Sequence, residues 1–375
     1  MLRARRRHDG LTVVVKQLRP GAANLAPRVR REYTMLRRIC ATEVVRALAL
    51  DDWHGLPALV LALVDGTPLS AWIRRPHGAA DLVERLRLAL GLTRAVAAVH
   101  AAEVLHRDIK PSNVLVTPDS RVVLIDFSAA TLTRDGDARD GEGTLQYMAP
   151  EQTGRTGRVV DTRSDHYALG VTLYELFTGR LPFQDDDPLG LVHSHLARVP
   201  PPPQQFCPEL PVALAQVILK LLEKSPDARY QSMRGLRSDL QHCLDELCER
   251  GRIDPFTPGL ADVSPQLRLP EHLFGRDAQR DVLELALARA RAGEPGLVIV
   301  TGPAGAGKSA LVRSLITPAA AAGATVARGN FDPSQRDIPH AALAGAIEQL
   351  VRRRLAEPEA SLIAWKARLS VALIA

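Results

Sequence analysis

Apolar and polar positions change rhythm along the chain, from short β-like runs near the start to helical periods after about residue 160. Val13-Val14-Val15, just ahead of Lys16, is a β-branched run that predicts a strand. Pro27 to Cys40 places Val29, Tyr33, Leu36 and Ile39 at helical spacing among arginines, which predicts an amphipathic helix. Leu59–Val64, closed by Asp65-Gly66, predicts a second strand. Asp81-x-x-Glu84 has the form of a capping box opening a helix that runs to about His100. Val114–Val116 and Val122–Ile125 flank the turn Pro118-Asp119 and predict two short strands. Ser164 to Phe177 and Leu210 to Glu223 follow a helical pattern.

Residues 250–270 carry Pro255, Pro258, Pro265 and Pro270 with Gly251 and Gly259, the composition of a linker. This sets the expected domains at 1–248, a Pro-rich linker at 249–270, and a second domain at 271–375. A new rhythm follows: a helix from Asp277 to Arg291, the strand Leu297–Val300, a Gly-rich turn and another helix. Strand followed by helix predicts a βα unit of an α/β domain. Pro200–Pro203 reads as a stiff loop between two helices, and no internal repeat is evident.

Composition changes this picture in three ways. With 46% apolar and 24% charged residues, the 375-residue chain has the make-up of a folded protein of about two to three domains, which excludes disordered and collagen-like classes. Four cysteines in so long a chain predict reduced thiols and a cytoplasmic setting, and Met1 is followed by Arg3, Arg5, Arg6 and Arg7 rather than a signal peptide. His242, Cys243 and Cys248 lie on one helical stretch without a second ligand pair, so metal binding is not expected there. The apolar runs fall far short of the roughly 20 residues a membrane span needs. The net charge of +6 is local: residues 1–50 hold twelve basic residues against Asp9, Glu32 and Glu43, and the remainder is mildly acidic. A general affinity for nucleic acid is therefore not expected. Only six lysines occur beside 42 arginines, and Lys16, Lys110 and Lys308 fall in motifs that handle phosphate.

The strongest motif is His106-Arg107-Asp108-Ile109-Lys110-Pro111-Ser112-Asn113, followed by a strand pair and then Asp126-Phe127-Ser128. Phosphoryl transfer to a hydroxyl needs an oriented nucleophile, a neutralised γ-phosphate and Mg²⁺ held by oxygen. One loop offers the carboxylate of Asp108, the ammonium of Lys110 and the amide oxygen of Asn113. Asp126 adds a second carboxylate at a strand end, where it can chelate Mg²⁺.

These residues resemble the catalytic loop and metal motif of the eukaryotic-type Ser/Thr protein kinases of bacteria, and the resemblance continues in order over residues 1–245. It implies an α+β bilobal protein-kinase fold, with a small β-rich lobe lacking its first strand and a large helical lobe. It further implies ATP and Mg²⁺ as cofactors and protein Ser/Thr hydroxyls as acceptors. Lys16 resembles the lysine that contacts the α/β-phosphates, with Glu32 as its ion-pair partner, and Leu59–Val64 resembles the hinge strand. Gly143 to Glu151 is similar to the substrate-facing end of an activation segment, in which Thr131, Thr133 and Thr144 are the candidate phosphorylation or switch positions. Arg107 would receive the phosphate, Asp165 would brace the catalytic loop, and Arg229 would pair with Glu151. Lys110 with Thr144 is the Ser/Thr-type signature.

Two departures stand out. Ser128 replaces the glycine that usually follows the metal-binding Asp-Phe pair, a mild backbone restriction. No glycine-rich loop precedes Val15-Lys16, which is expected to reflect a start set too late rather than a lost function. A pseudokinase scaffold with impaired ATP binding stays open beside it.

Gly302-Pro303-Ala304-Gly305-Ala306-Gly307-Lys308-Ser309 fits the P-loop pattern, with Lys308 reaching a β/γ-phosphate and Ser309 the Mg²⁺. With Phe274-Gly275-Arg276 and Asn330–Pro339 it resembles the AAA/STAND-type ATPase modules joined to kinases in large bacterial signalling proteins. No apolar strand after Ser309 ends in an acidic residue, so the module is expected to be incomplete and to hold nucleotide without hydrolysing it well. A signalling switch driven by this P-loop is the remaining alternative. The reading is thus of a chain cut at both ends.

Overall fold

The computed structural model describes residues 1–7, 9–18, 23–74, 81–133, 143–154, 158–263, 275–303 and 306–315, with scattered positions beyond. The chain divides into two compact units, Met1–Gln266 and Leu267–Ala375.

The first unit opens on a hairpin in which β1 (Leu2–Arg5) pairs antiparallel with β2 (Thr12–Gln17). The turn residue Gly10 has φ 72, a conformation open to glycine at little steric cost. β2 pairs in turn with β4 (Leu56–Ala62), and β4 with β3 (Ala47–Trp53), giving the order β1-β2-β4-β3. Pro57 to Leu61 are all buried, as expected of a central strand covered on both faces. The strand lies three residues earlier than the apolar run suggested, because the tight turn at His54-Gly55 starts it immediately after β3. Helix α1 (Ala26–Arg38) lays Val29, Met35 and Leu36 on β3 and β4. Its predicted end at Cys40 is trimmed to Arg38, with Ile39 already extended.

After β5 (Thr67–Pro68) and α2 (Leu69–Ile73), the chain enters a helical lobe built on α3 (Asp81–Ala101) and α4 (Thr162–Thr178). α4 buries thirteen of its residues, from Ser164 through Tyr174 together with Leu176 and Phe177. A helix buried all round is the centre of a lobe rather than its wall. Asp161 caps its start and Gly179, at φ 72, ends it. Gly170 lets α6 (Val212–Leu221) approach closely; a Cβ there would stand 2.6 Å from the Leu221 Cβ. Two short sheets sit beside α3: β5-β7-β8, using β7 (Val114–Val116) and β8 (Val122–Leu124), and β6-β9, using β6 (Val104–Leu105) and β9 (Thr131–Leu132). Between them they present the loop 106–113 and the segment 125–130.

Two more helices follow, α5 (Pro188–Ala197) and, after α6, α7 (Met233–Arg250). The described part of the Pro-rich stretch does not leave the lobe at once. Ile253 is buried, Phe256 meets the His242 ring edge-on at 4.9 Å, and Asp239 accepts a hydrogen bond from the Gly259 N–H. Asp262 accepts from the N–H groups of Gln231 and Ser232 and from the Ser232 hydroxyl.

In the second unit, α8 (Asp277–Arg291) matches its predicted bounds, and α9 (Lys308–Ser314) follows the Gly-rich turn. The expected strand Leu297–Val300 is irregular instead. Leu297 is 86% and Ile299 74% exposed, and no strand pairs with them among the described residues, so their backbone groups lack a ladder. Phe274, Asn330–Pro339 and Arg368–Ala375 lie outside the described residues. No described helix is long and apolar enough to cross a membrane.

Two buried histidines set an acid limit on the helical lobe. Burial, aided by nearby His100, pushes His166 down to about 3. Burial and the neighbouring Lys224 push His195 down to about 4. Both are neutral in the folded chain, whereas an unfolded histidine titrates near about 6.5, so the unfolded state binds more protons between these values. Their contribution is complete above about 6.5 and is lost as the pH falls towards about 4 and then about 3. The urea midpoint should therefore drop on acidification through this window. His195→Gln should flatten that drop; an unchanged slope would contradict the assignment.

Candidate active site

Three elements bring the charged centre together. β2 supplies Lys16, which lies opposite Leu59 of β4, and α1 supplies Glu32, 2% exposed. The segment after β8 supplies Asp126. The Lys16 Nζ donates to both Glu32 carboxylate oxygens at 2.8 Å and to the Asp126 Oδ1 at 2.8 Å. Glu32 also accepts the Phe127 N–H at 3.2 Å, so the helix and the Asp-Phe-Ser segment are tied through one carboxylate. Burial opposes the Lys16 charge, but Glu32 and Asp126 outweigh it and raise its pKa. Burial likewise opposes ionisation of Asp126, yet the ammonium and the Ser128 hydrogen bonds hold its carboxyl below the ordinary range. The site is thus a fixed cation between two carboxylates.

The loop after β6 forms the second cluster. Arg107 has φ 66 and Asp126 φ 61, both in the left-handed region that non-glycine residues rarely occupy. Such conformations persist where surrounding contacts impose them. Here Asp165 of α4, 1% exposed, accepts the His106 N–H at 2.9 Å, the Arg107 N–H at 2.8 Å and the His100 Nε2 at 2.8 Å. The buried His106 ring packs edge-on against Phe127, with centroids 4.6 Å apart. Ser128 itself has no positive φ, so serine costs the backbone nothing at that position.

Asp108 is the hub of the loop. Its Oδ1 accepts the Thr144 N–H at 2.9 Å and the Thr144 hydroxyl at 2.8 Å. Its Oδ2 accepts the Lys110 Nζ at 2.7 Å and the Asn113 Nδ2 at 3.0 Å. Lys110 also donates to the Thr144 hydroxyl. Because the Asn113 Nδ2 is committed to Asp108, its amide oxygen is the group left for a ligand. Asp126 and Asn113 are hard oxygen donors, the kind Mg²⁺ takes from protein when substrate phosphates complete its shell. Among the described residues no group of three or more acidic, His or Cys side chains could hold a metal alone.

Beyond the hub, Glu151 and Arg229 form a buried bidentate pair at 2.7 and 2.9 Å, joined by the Ser164 hydroxyl. Thr131 is buried in β9, 6% exposed, and its hydroxyl lacks a hydrogen-bond partner among the described residues. Of the two early threonines, only Thr133 is exposed. The sequence reading passed over Gln152, which donates to the strained Arg107 carbonyl at 3.1 Å and accepts the Ala149 N–H. At Gly143, which opens the segment likened to the end of an activation segment, φ is 126 and a Cβ would stand 2.9 Å from the Arg107 carbonyl oxygen. Those positions tie the activation segment's end to the catalytic loop.

The second unit's Gly-rich turn stands apart from these residues in sequence. Gly307 has φ 82, and Lys308, the first residue of α9, folds its Nζ back onto the Gly302 and Pro303 carbonyls at 2.8 and 2.7 Å. Ser309 follows in the same helix.

A β-rich lobe with a Lys–Glu pair, stacked on a helical lobe whose loop presents Asp, Lys and Asn, defines the protein kinase class. Residues 1–241 match the protein kinase domain model, and the chain belongs to that family. Residues 272–375 match an AAA ATPase domain. The chain is 37% identical over 233 residues to the serine/threonine-protein kinase Pkn1 of Myxococcus xanthus, covering 59% of this chain and 32% of that protein. It is 35% identical over 254 residues to a probable serine/threonine-protein kinase of Streptomyces coelicolor, covering 64% of this chain and 37% of the relative. A 28% identical match to the hybrid signal transduction histidine kinase G of Dictyostelium discoideum covers 81% of this chain and 12% of that protein. The chain thus spans about a third of the length of the first two relatives.

Proposed function

We propose that the chain is a serine/threonine protein kinase of bacterial signal transduction, transferring the ATP γ-phosphoryl group to Ser or Thr hydroxyls of protein substrates in the cytoplasm. The observation that carries this reading is the Asp108 carboxylate, held between Lys110, Asn113 and Thr144, while Lys16 joins Glu32 and Asp126. Lys16, locked by Glu32, positions the α/β-phosphates. Asp108 orients the acceptor hydroxyl and receives its proton, and Lys110 balances the γ-phosphate charge. Asp126 and the amide oxygen of Asn113 would hold Mg²⁺, which supplies charge neutralisation between the phosphates.

In this reading Asp165 and Arg107 hold the loop, Glu151 with Arg229 anchors the activation segment, and Thr133 and Thr144 are its phosphorylation or switch positions. Gly302, Gly307, Lys308 and Ser309 form a second nucleotide site. The kinase domain takes 1–248, the Pro-rich linker 249–270 and the ATPase module 271–375. The packing of Ile253 and Asp262 supports counting the linker's first half as part of the kinase body.

The test is transfer of radiolabel from γ-labelled ATP to protein acceptors by the whole chain. Lys16→Met should lower kcat/KM by about 10²-fold or more, the scale of losing one preorganised charge contact. Label transfer that ignores Lys16→Met but disappears with Lys308→Ala would move the activity to the P-loop and overturn the reading.

A further inference from the structure

The outer face of α1 carries a run of exposed arginines. The helix holds Arg28, Arg30, Arg31, Arg37 and Arg38, and its one acidic residue, Glu32, is buried and bound to Lys16. Arg30, Arg31, Arg37 and Arg38 are all exposed, as is Thr34 between them. These positions run i, i+1, i+4, i+7 and i+8, so they share one side of a helix with 3.6 residues per turn. Among the described residues none of the four arginines makes an ion pair or side-chain hydrogen bond, while Arg6, Arg94, Arg121, Arg163, Arg229 and Arg250 each have an acidic partner.

Arg28 falls in the first turn, where the helix dipole repels cations, whereas Arg37 and Arg38 fall in the last, where it favours them. No acid stands in the first turn, and Leu25 gives no side-chain cap. Four exposed guanidinium groups gathered on one face without an acidic partner among the described residues make a positive patch to which an anion from elsewhere is complementary.

We infer that the Arg30–Arg38 face of α1 is a docking surface for a carboxylate-rich segment of a partner protein. The charged run spans about 12 Å at 1.5 Å per residue, the length of two helical turns bearing acids at matching spacing. A membrane would need apolar side chains beside the arginines. Among the described residues no large apolar side chain between Leu11 and Trp53 is exposed. Bases would need stacking surfaces, and Tyr33, the helix's aromatic residue, packs against the core. Acidic protein is the chemistry that fits.

The docked segment acts on the cleft through the helix itself. Glu32 lies between Arg31 and Tyr33 and holds both Lys16 and the Phe127 N–H. Neutralising the outer face stabilises α1, and with it the Lys16–Glu32 pair. This consequence rests on the kinase reading above; the docking does not.

The experiment uses the whole chain and a fluorescent octaglutamate peptide, with phosphatidylserine vesicles and a short DNA duplex as parallel probes. The peptide should bind at low salt and weaken by about tenfold or more as ionic strength rises past the point where the Debye length drops below roughly 8 Å. The variant Arg30→Gln/Arg31→Gln/Arg37→Gln/Arg38→Gln should lose at least about tenfold in peptide affinity. Arg234→Gln/Arg237→Gln, exposed arginines of α7, should leave it nearly unchanged and so show that arginines elsewhere on the surface do not hold the peptide. Absence of peptide binding, equal loss in both variants, or tighter arginine-dependent binding to vesicles or duplex would overturn the proposal. If peptide binding depends on the four arginines yet no Asp108-dependent phosphoryl transfer occurs, docking stands and the kinase reading fails.

Discussion

Asp108→Asn is expected to remove phosphoryl transfer while leaving the fold intact. The side chain receives four hydrogen bonds, from the Thr144 N–H and hydroxyl on one oxygen and from Lys110 and Asn113 on the other. An amide can keep the Thr144 pair, because its oxygen still accepts. Its NH₂ then faces the Lys110 ammonium and the Asn113 NH₂, three donors with no acceptor between them. The proton acceptor and the charge that holds Lys110 disappear together. General-base loss alone is worth about 10²–10⁴ in rate. We expect kcat to fall by about 10³-fold or more, with the KM for ATP changed by no more than about threefold, since Lys16 and Asp126 are untouched. Initial rates at saturating ATP, beside a thermal melt, check both halves. A kcat within about tenfold of the parent would show that Asp108 is not the proton acceptor.

How much of this arrangement was legible in the sequence depends on whether the signal is local. The loop 106–113 could be read directly, because Asp108, Lys110 and Asn113 lie within six residues of one another and meet at the Asp108 carboxylate. Helix α4 was legible as a helix, and its burial explains why the apolar pattern ran on without a polar face. The pairing of Lys16 with Glu32 joins residues sixteen apart on a strand and a helix, and only the family resemblance suggested it. Gln152 was invisible, since a buried glutamine that ties a strained carbonyl looks like any surface glutamine in a string of letters. Thr131 misled in the opposite direction. Hydroxyls in an activation segment invite a switch reading, but two residues of pairing with β6 put this one inside. The prolines of 255–258 suggest a linker by composition, yet Ile253 is buried and Asp262 fastens that stretch to the start of α7 by contacts between residues far apart in the chain. The Leu297–Val300 run shows the same limit: no strand pairs with it among the described residues, and β propensity alone does not make a ladder.

Arg229→Met should produce the largest loss of stability of any single change considered. The Arg229 side chain is 0% and its partner Glu151 1% exposed. The guanidinium donates to both Glu151 oxygens and to the carbonyls of Arg163, Glu223 and Lys224. It also lies over the Tyr167 ring, 4.9 Å from its centroid. Methionine restores the volume but none of the donors, leaving a buried carboxylate with the Ser164 hydroxyl as its remaining side-chain donor. Breaking a buried pair from one side costs about 3–5 kcal/mol, mostly the desolvation of the orphaned charge. At about 2–4 °C per kcal/mol for a domain of this size, the thermal midpoint should fall by roughly 10 °C. Adding Glu151→Gln removes that charge and should recover part of the loss, a coupling that a double-mutant cycle measures directly. By contrast, Asp119→Asn breaks the exposed pair with Arg121, 59% and 63% exposed, and should shift the midpoint by less than about 2 °C. Additive effects of Arg229→Met and Glu151→Gln would mean that the two side chains do not act as a pair, and that the activation segment is held by its other contacts, such as those of Thr144 with Asp108 and Gln152 with the Arg107 carbonyl.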